Sequence, residues 1–228
     1  MTGDGRTDAV AAVVFDLDGV LVDSESAWAE IRERFTRERG GRWRPEAARV
    51  MQGMSSTEWS RYMRDELGVP LGPEEISTTV AEEVAARYRR RLPLLPGAVA
   101  AVRTLAEAWP LAVASSANRA LIDLFVELAG LEDSFRATVS SEEVERGKPA
   151  PDVYLEAARR LGVDRKRSVA VEDSANGIRS ADAAGMPVIA IPNRDYPPDS
   201  AALELAGLVL DSLAALTPDA VTAAGARD

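Results

Sequence analysis

The sequence contains no cysteine and no histidine. The first absence excludes disulfides and thiolate metal sites, which suits a reducing compartment. The second removes the commonest general base and the commonest metal ligand. Chemistry near neutral pH is left to carboxylates, lysine, serine and tyrosine. Lysine is itself scarce: Lys148 and Lys166 are the only two, against 25 arginines. No apolar run approaches the roughly 18 residues of a membrane span, and the start, "MTGDGRTDAV", lacks the apolar stretch of a signal peptide. A net charge of −10 disfavours nonspecific nucleic-acid binding, which needs a basic face. The expectation is a cytoplasmic protein with neither nucleic-acid nor membrane partners. Oligomeric state is open, with a monomer as the default.

What is present is enough apolar residue, 46% of 228, for one large domain or a core with a smaller companion. Residues 9–15, "AVAAVVF", read as a buried strand, as do 110–115, 168–173 and 187–193; "RATVSS" (136–141) is a weaker fifth. Runs apolar on both faces indicate a parallel sheet covered by helices. Helices are expected over 97–108, 119–131, 150–162 and 174–185, with Asn118 as an N-cap and Gly162 as a stop. Strands alternating with helices predict a doubly wound α/β core. The alternation breaks over residues 25–92, where four segments (26–40, 44–53, 56–68 and 73–92) all have helical character. This predicts an all-helical cap inserted into a core formed by 9–24 and 93–228. Residues 1–8 read as a loose start. Trp28, Trp43 and Trp59 lie in the insert, where packing is their ordinary role.

Open α/β sheets bind ligands beyond the carboxyl ends of their strands. The first strand ends in Asp16 and Asp18, the second in Ser115 and Ser116 with Asn118 nearby, and the fourth in Glu172 and Asp173; Lys148 sits in "RGKPAPD" before a helix. Clustered carboxylates repel unless protons or a cation neutralise them. Mg²⁺ suits an all-oxygen site and shares its coordination with phosphate. In such a site Asp16 attacks phosphorus, Asp18 serves as acid and then base, Ser115 donates to a phosphate oxygen, and Lys148 supplies fixed positive charge. The spacing fits neither an EF-hand, since Gly19 is fourth rather than sixth in the loop, nor a P-loop, since no glycine lies five residues before Gly147. Alone, each piece has an ordinary reading as a turn, a cap or a strand end.

Together, and in this order, they resemble the haloacid dehalogenase superfamily, in its β-phosphoglucomutase-like and sugar-phosphatase branch, over roughly 10–215. "VVFDLDGVLVDSE" resembles the family's first motif, "VASSAN" the second, "GKPAPDVY" the third and "VEDSANGIRSADAAGM" the fourth. The resemblance implies a Rossmann-like core with a helical cap and Asp16 as nucleophile. It implies Asp18 as acid/base, Ser115 as phosphate ligand, Lys148 as the lysine of the third motif, and Mg²⁺ held by Asp16, the backbone carbonyl of Asp18, Glu172 and Asp173. Two positions depart from the mutases. Trp28 stands where they carry a histidine, and "GMSS" (53–56) puts Ser56 where they carry the arginine that grips the distal phosphate, leaving Arg49 or Arg61 as substitutes. The departures favour a phosphatase for a small sugar or polyol phosphate, with a phosphomutase as the alternative. Dehalogenation is disfavoured by Asp18 and the "VED" acids, and a receiver-type phosphoacceptor by "DLDG" and the insert. Ser116, Asn118, Trp28, Gln52, Gly53 and Ser56 are the candidate substrate contacts.

Overall fold

A computed structural model of the chain describes residues 10–194 and 196–226. Its centre is a parallel sheet of six strands: β1 (Ala12–Phe15), β2 (Leu111–Ser115), β3 (Phe135–Ser140), β4 (Ser168–Glu172), β5 (Val188–Ala190) and β6 (Leu208–Val209). Their order is β3-β2-β1-β4-β5-β6, so the direction of winding reverses at β1. The expected apolar runs form the inner strands because both faces are covered. Val13 and Phe15 join one apolar cluster and Val14 the other, each wholly buried. The predicted α/β class and doubly wound core are borne out.

The helices α5 (Ala98–Ala106), α6 (Arg119–Ala129), α7 (Asp152–Leu161) and α8 (Ala175–Ala183) follow the expected segments. Gly130 and Gly162 end α6 and α7 in the left-handed region, where a Cβ would be strained. Between β1 and α5 the chain is helical: α1 (Glu25–Glu38), α2 (Ala47–Met51), α3 (Ser56–Asp65) and α4 (Pro73–Arg90). A capping box of Ser55 and Glu58 fixes the start of α3, and Pro73 opens α4. Trp59, Met63, Val80 and Val84 from these helices belong to the same apolar cluster as Phe15. The insert is therefore packed continuously against the sheet side of the molecule.

Three details differ from the sequence reading. β1 is four residues long, and its expected beginning at Ala9 lies outside the described residues, as does the start at 1–8. β6, α9 (Ser200–Leu203) and α10 (Pro218–Gly225) were not expected. Asn118 immediately precedes α6, but its side chain does not cap the helix. The Glu142 carboxylate accepts from the Arg119 backbone N–H at 2.9 Å instead, placing a negative charge at the helix N-terminus.

Candidate active site

Register brings the acids together. Phe15 pairs with Val113 on one side and Val171 on the other, so Asp16 and Glu172 emerge at the same level, beside the end of β2. This is the edge where the winding reverses, the place an open α/β sheet offers a ligand. Asp16 still donates its backbone N–H to Val171 O at 2.9 Å, which holds it in the sheet's frame. The chain then turns at Gly19, with φ +83. A Cβ there would overlap the Asp173 carboxylate, and one on Gly177 would overlap that of Glu172. The glycines of "DLDG" and "SANG" are thus what lets two backbone segments close on the acids.

Lys148 lies at the centre. Its ammonium donates to Asp16 Oδ1 at 2.7 Å and to Glu172 Oε1 at 2.6 Å, and all three side chains are almost fully buried. The Tyr154 hydroxyl, on α7, donates to the same Glu172 oxygen at 2.8 Å. Glu172 Oε2 accepts from the backbone N–H groups of Asp173 and Ser174 at 3.0 and 3.3 Å. Burial pushes the Asp16 carboxyl up to about 8; Lys148 opposes the rise, and Glu172 and Asp18 add to it. Burial also raises Asp18, opposed by the nearby Ser24 and Trp28 side chains and the charges of Arg32 and Lys148. Asp173 is held well above the carboxylate range by burial and then by repulsion from Glu172 and Asp16. Burial alone would lower Lys148, but attraction to Asp16 and Glu172 overrides it and keeps the ammonium charged.

Ligand oxygens of Asp16, Glu172 and Asp173 lie within 4.8 Å of one another, all buried. The donors are all oxygen, and the raised pKa values of Asp16 and Asp173 mark negative charge short of compensation. Both features fit a hard divalent cation such as Mg²⁺.

A cavity opens in front of this cluster, with about 530 Å³ of empty space including its mouth. Asp16, Asp18, Lys148 and Asp173 reach it from the core, together with Ser116 and Ala117. Ser115 is fully buried behind them, its hydroxyl accepting the Ala117 N–H at 3.0 Å. Of the candidate substrate contacts, Trp28, Gly53 and Ser116 line the cavity, and the Ser116 hydroxyl donates to Gly53 O at 3.1 Å. Gln52 lines a neighbouring cavity with Arg49 and Tyr196. Ser56 and Asn118 meet elsewhere: both donate to Glu142 Oε1, at 2.8 and 2.6 Å, and Asn118 also reaches Ser77 on α4 at 3.2 Å. They join insert to core rather than line the cavity. The sequence reading missed Tyr154, Glu25 and Arg32, the last two of which line the cavity from α1. Burial raises Glu25 to about 7 and lowers Arg32 to about 10. A charged residue four positions after Trp28, on the buried face of α1, was the available signal for Arg32.

A parallel α/β sheet ending in a buried acid cluster with a lysine, under a helical insert, defines a class of phosphate-handling hydrolase folds. The chain matches the haloacid dehalogenase-like hydrolase family over residues 10–185 and belongs to it. It is 32% identical to hexitol phosphatase B of Escherichia coli over 217 residues, 91% of this chain and 95% of that one. It is 30% identical over 185 residues to the bifunctional riboflavin kinase/FMN phosphatase of Arabidopsis thaliana, where the chain spans about half (48%) of the relative's length. The crystal structure of a CbbY mutant from Rhodobacter sphaeroides, in complex with xylulose-(1,5)bisphosphate, superposes with a TM-score of 0.79 at 27% identity, covering 91% of this chain and 96% of that one. Within its family the chain is an enzyme, a phosphoric monoester hydrolase.

Proposed function

We propose that the protein hydrolyses a small sugar or polyol phosphate through an aspartyl-phosphate on Asp16, with Mg²⁺ as its cofactor. The observation that carries this reading is the convergence of Asp16, Asp18 and Lys148 on one cavity beside a buried oxygen cluster. Hexitol phosphatase B, the 32% relative, supports the substrate class.

Asp16, Glu172 and Asp173 would hold the Mg²⁺, with the Asp18 carbonyl, and the bound ion would offset negative charge on the phosphoryl oxygens. Lys148 orients the Asp16 carboxyl and opposes the rise in its pKa, so that with the bound ion it would favour the charged form. An Asp16 oxygen forms a bond to phosphorus while the ester P–O bond breaks. Asp18, whose raised pKa favours its protonated form, gives that proton to the departing oxygen. Asp18 then takes a proton from water as the water oxygen attacks the same phosphorus. The Asp16–phosphorus bond breaks, and inorganic phosphate and free Asp16 result. Ser115 and Ser116 bind phosphoryl oxygens from the end of β2. Glu172, tied to Lys148 and Tyr154, positions the lysine as well as serving the metal.

The division into a core of 9–24 and 93–228 and a cap of 25–92 belongs to this proposal, with the cap excluding water during transfer. So do a cytoplasmic setting and a monomeric state. The phosphomutase alternative has less support: Ser56 is engaged with Glu142, and Arg49 and Arg61 do not line the cavity. The test is phosphate release from a panel of phosphorylated sugars, polyols and nucleotides, with and without Mg²⁺, including β-glucose 1-phosphate with glucose 1,6-bisphosphate. Mg²⁺-dependent release from one sugar or polyol class is expected. Glucose 6-phosphate formed without net phosphate release would overturn the reading in favour of a mutase.

A further inference from the structure

Arg32 is the one cation that the insert turns towards the cavity among the described residues. Its guanidinium lies against a pair of touching indoles, 4.5 Å from the Trp28 ring centroid and 4.6 Å from that of Trp59, the two rings being 5.8 Å apart and tilted by 59°. The side chain is 7% exposed, and its Nε is buried without a hydrogen-bond partner. Glu25 and Asp18 attract it, but no carboxylate forms an ion pair with it among the described residues. Other arginines of the chain pair freely with nearby acids on the surface. A buried guanidinium costs stability unless something pairs with it. Contact with the two indoles restrains the guanidinium, and its Nε–H is left without a protein acceptor. Lys148 does not share this condition, since Asp16 and Glu172 already satisfy it. Two cations thus line the cavity, Lys148 and Arg32. The first is engaged by Asp16 and Glu172; the second has no carboxylate ion-paired with it among the described residues.

We infer that Arg32 reads the non-reacting end of the substrate and that this end carries a second anionic group, a carboxylate or another phosphoryl group. The inference rests on the phosphatase reading of the same site and specifies its substrate. A planar guanidinium binds either group by donating paired N–H···O bonds, and the low dielectric beside the buried indoles strengthens the contact over one to a neutral hydroxyl. It also assigns the missing insert cation: α1 supplies it, rather than position 56.

The experiment compares kcat/KM for matched esters that differ at the far end: glycerol 3-phosphate with 3-phosphoglycerate, sorbitol 6-phosphate with 6-phosphogluconate, and fructose 6-phosphate with fructose 1,6-bisphosphate. p-Nitrophenyl phosphate reports the phosphatase reading by itself. Wild type should prefer the anionic member at least about tenfold in one or more pairs, and Arg32→Met should reduce that ratio about tenfold or more. Arg32→Lys retains charge without the planar fork and should lose part of the preference; it decides the matter if circular dichroism shows that the methionine variant does not fold. Equal or better hydrolysis of the neutral member in every pair overturns the inference alone, as does a ratio unchanged in both variants. Failure to hydrolyse any ester, p-nitrophenyl phosphate included, overturns the phosphatase reading and the assignment with it. The carboxylate and bisphosphate arms separate the two anion sources.

Discussion

Asp16 sits at the end of an apolar strand because its cost there is shared. Its carboxylate is buried and pushed up to about 8, and the Lys148 ammonium at 2.7 Å is what opposes the rise. The arrangement makes a poor resting anion, and in the proposed mechanism a desolvated nucleophile once positive charge gathers on it. Asp16→Asn should lower kcat by about three orders of magnitude or more, and Asp18→Asn by roughly two to four, as steady-state phosphate release would show. Glu25 offers a test in pH. Burial and the Asp18 charge raise it from 4.5 to about 7. The folded protein then keeps a proton that the unfolded chain has lost, so this group's contribution to stability falls as pH rises from about 4.5 to 7. Glu25→Gln removes that loss. The variant should gain roughly 1–3 kcal/mol relative to wild type at pH 8 and nothing at pH 4, measured by denaturant unfolding; an equal difference at both pH values would contradict the assignment. The acids, Lys148 and Ser115 were legible in the sequence because each follows an apolar run or opens a helix. Arg32, Glu25 and Tyr154 were not, because their roles arise from three-dimensional convergence that no local spacing records.

Helices and strands show where the sequence reading worked and where it stopped. Inner strands have two buried faces and leave an unbroken apolar signature, as in "AVVF" and "SVAV". β6 has two residues, one of them half exposed, and carries no pattern to read. Asn118 shows a subtler failure: it stands where a cap would stand, yet its amide is drawn to Glu142 and Ser77 while Glu142 takes over the helix terminus. Glu142 therefore ties α6 to α3 of the insert through Ser56. Each such hydrogen bond contributes about 0.5–1.5 kcal/mol, small for folding but comparable with the energy that biases an opening motion. Glu142→Ala should lower kcat/KM by about three- to tenfold, mainly through KM, and raise hydrogen exchange over residues 53–60. Unchanged exchange there would show that the contact does not hold the insert closed. Ser55→Ala removes the α3 cap and should cost about 1 kcal/mol by thermal unfolding.

For the whole molecule, a cation held by the acid cluster would couple folding to cation binding. Asp16, Asp18 and Asp173 all have raised pKa values, so the folded protein without a cation holds protons that unfolded carboxyls, near 3.9, release. Stability should fall as pH rises from about 4 towards 8, and a divalent cation should restore it by replacing those protons. Mg²⁺ at about a hundredfold excess over its Kd should raise Tm by about 5–10 °C, with a larger shift at pH 8 than at pH 6 and reversal by chelator. No shift at either pH would remove the cation from the account. The parallel sheet, its winding reversal and the helical insert were all readable from alternation and its interruption; the closeness of insert to core was not, since it depends on side chains such as Ser116 and Glu142 meeting partners far along the chain. Every role assigned here turns on Asp16 carrying the phosphoryl group. The direct measurement is an acid-quenched single turnover with isotopically labelled phosphate ester and Mg²⁺, followed by peptide mass spectrometry. The account requires label on the peptide containing Asp16, appearing and decaying at rates that match turnover, and no label or turnover in Asp16→Asn. Turnover without a labelled peptide, together with an active Asp16→Asn variant, would contradict it.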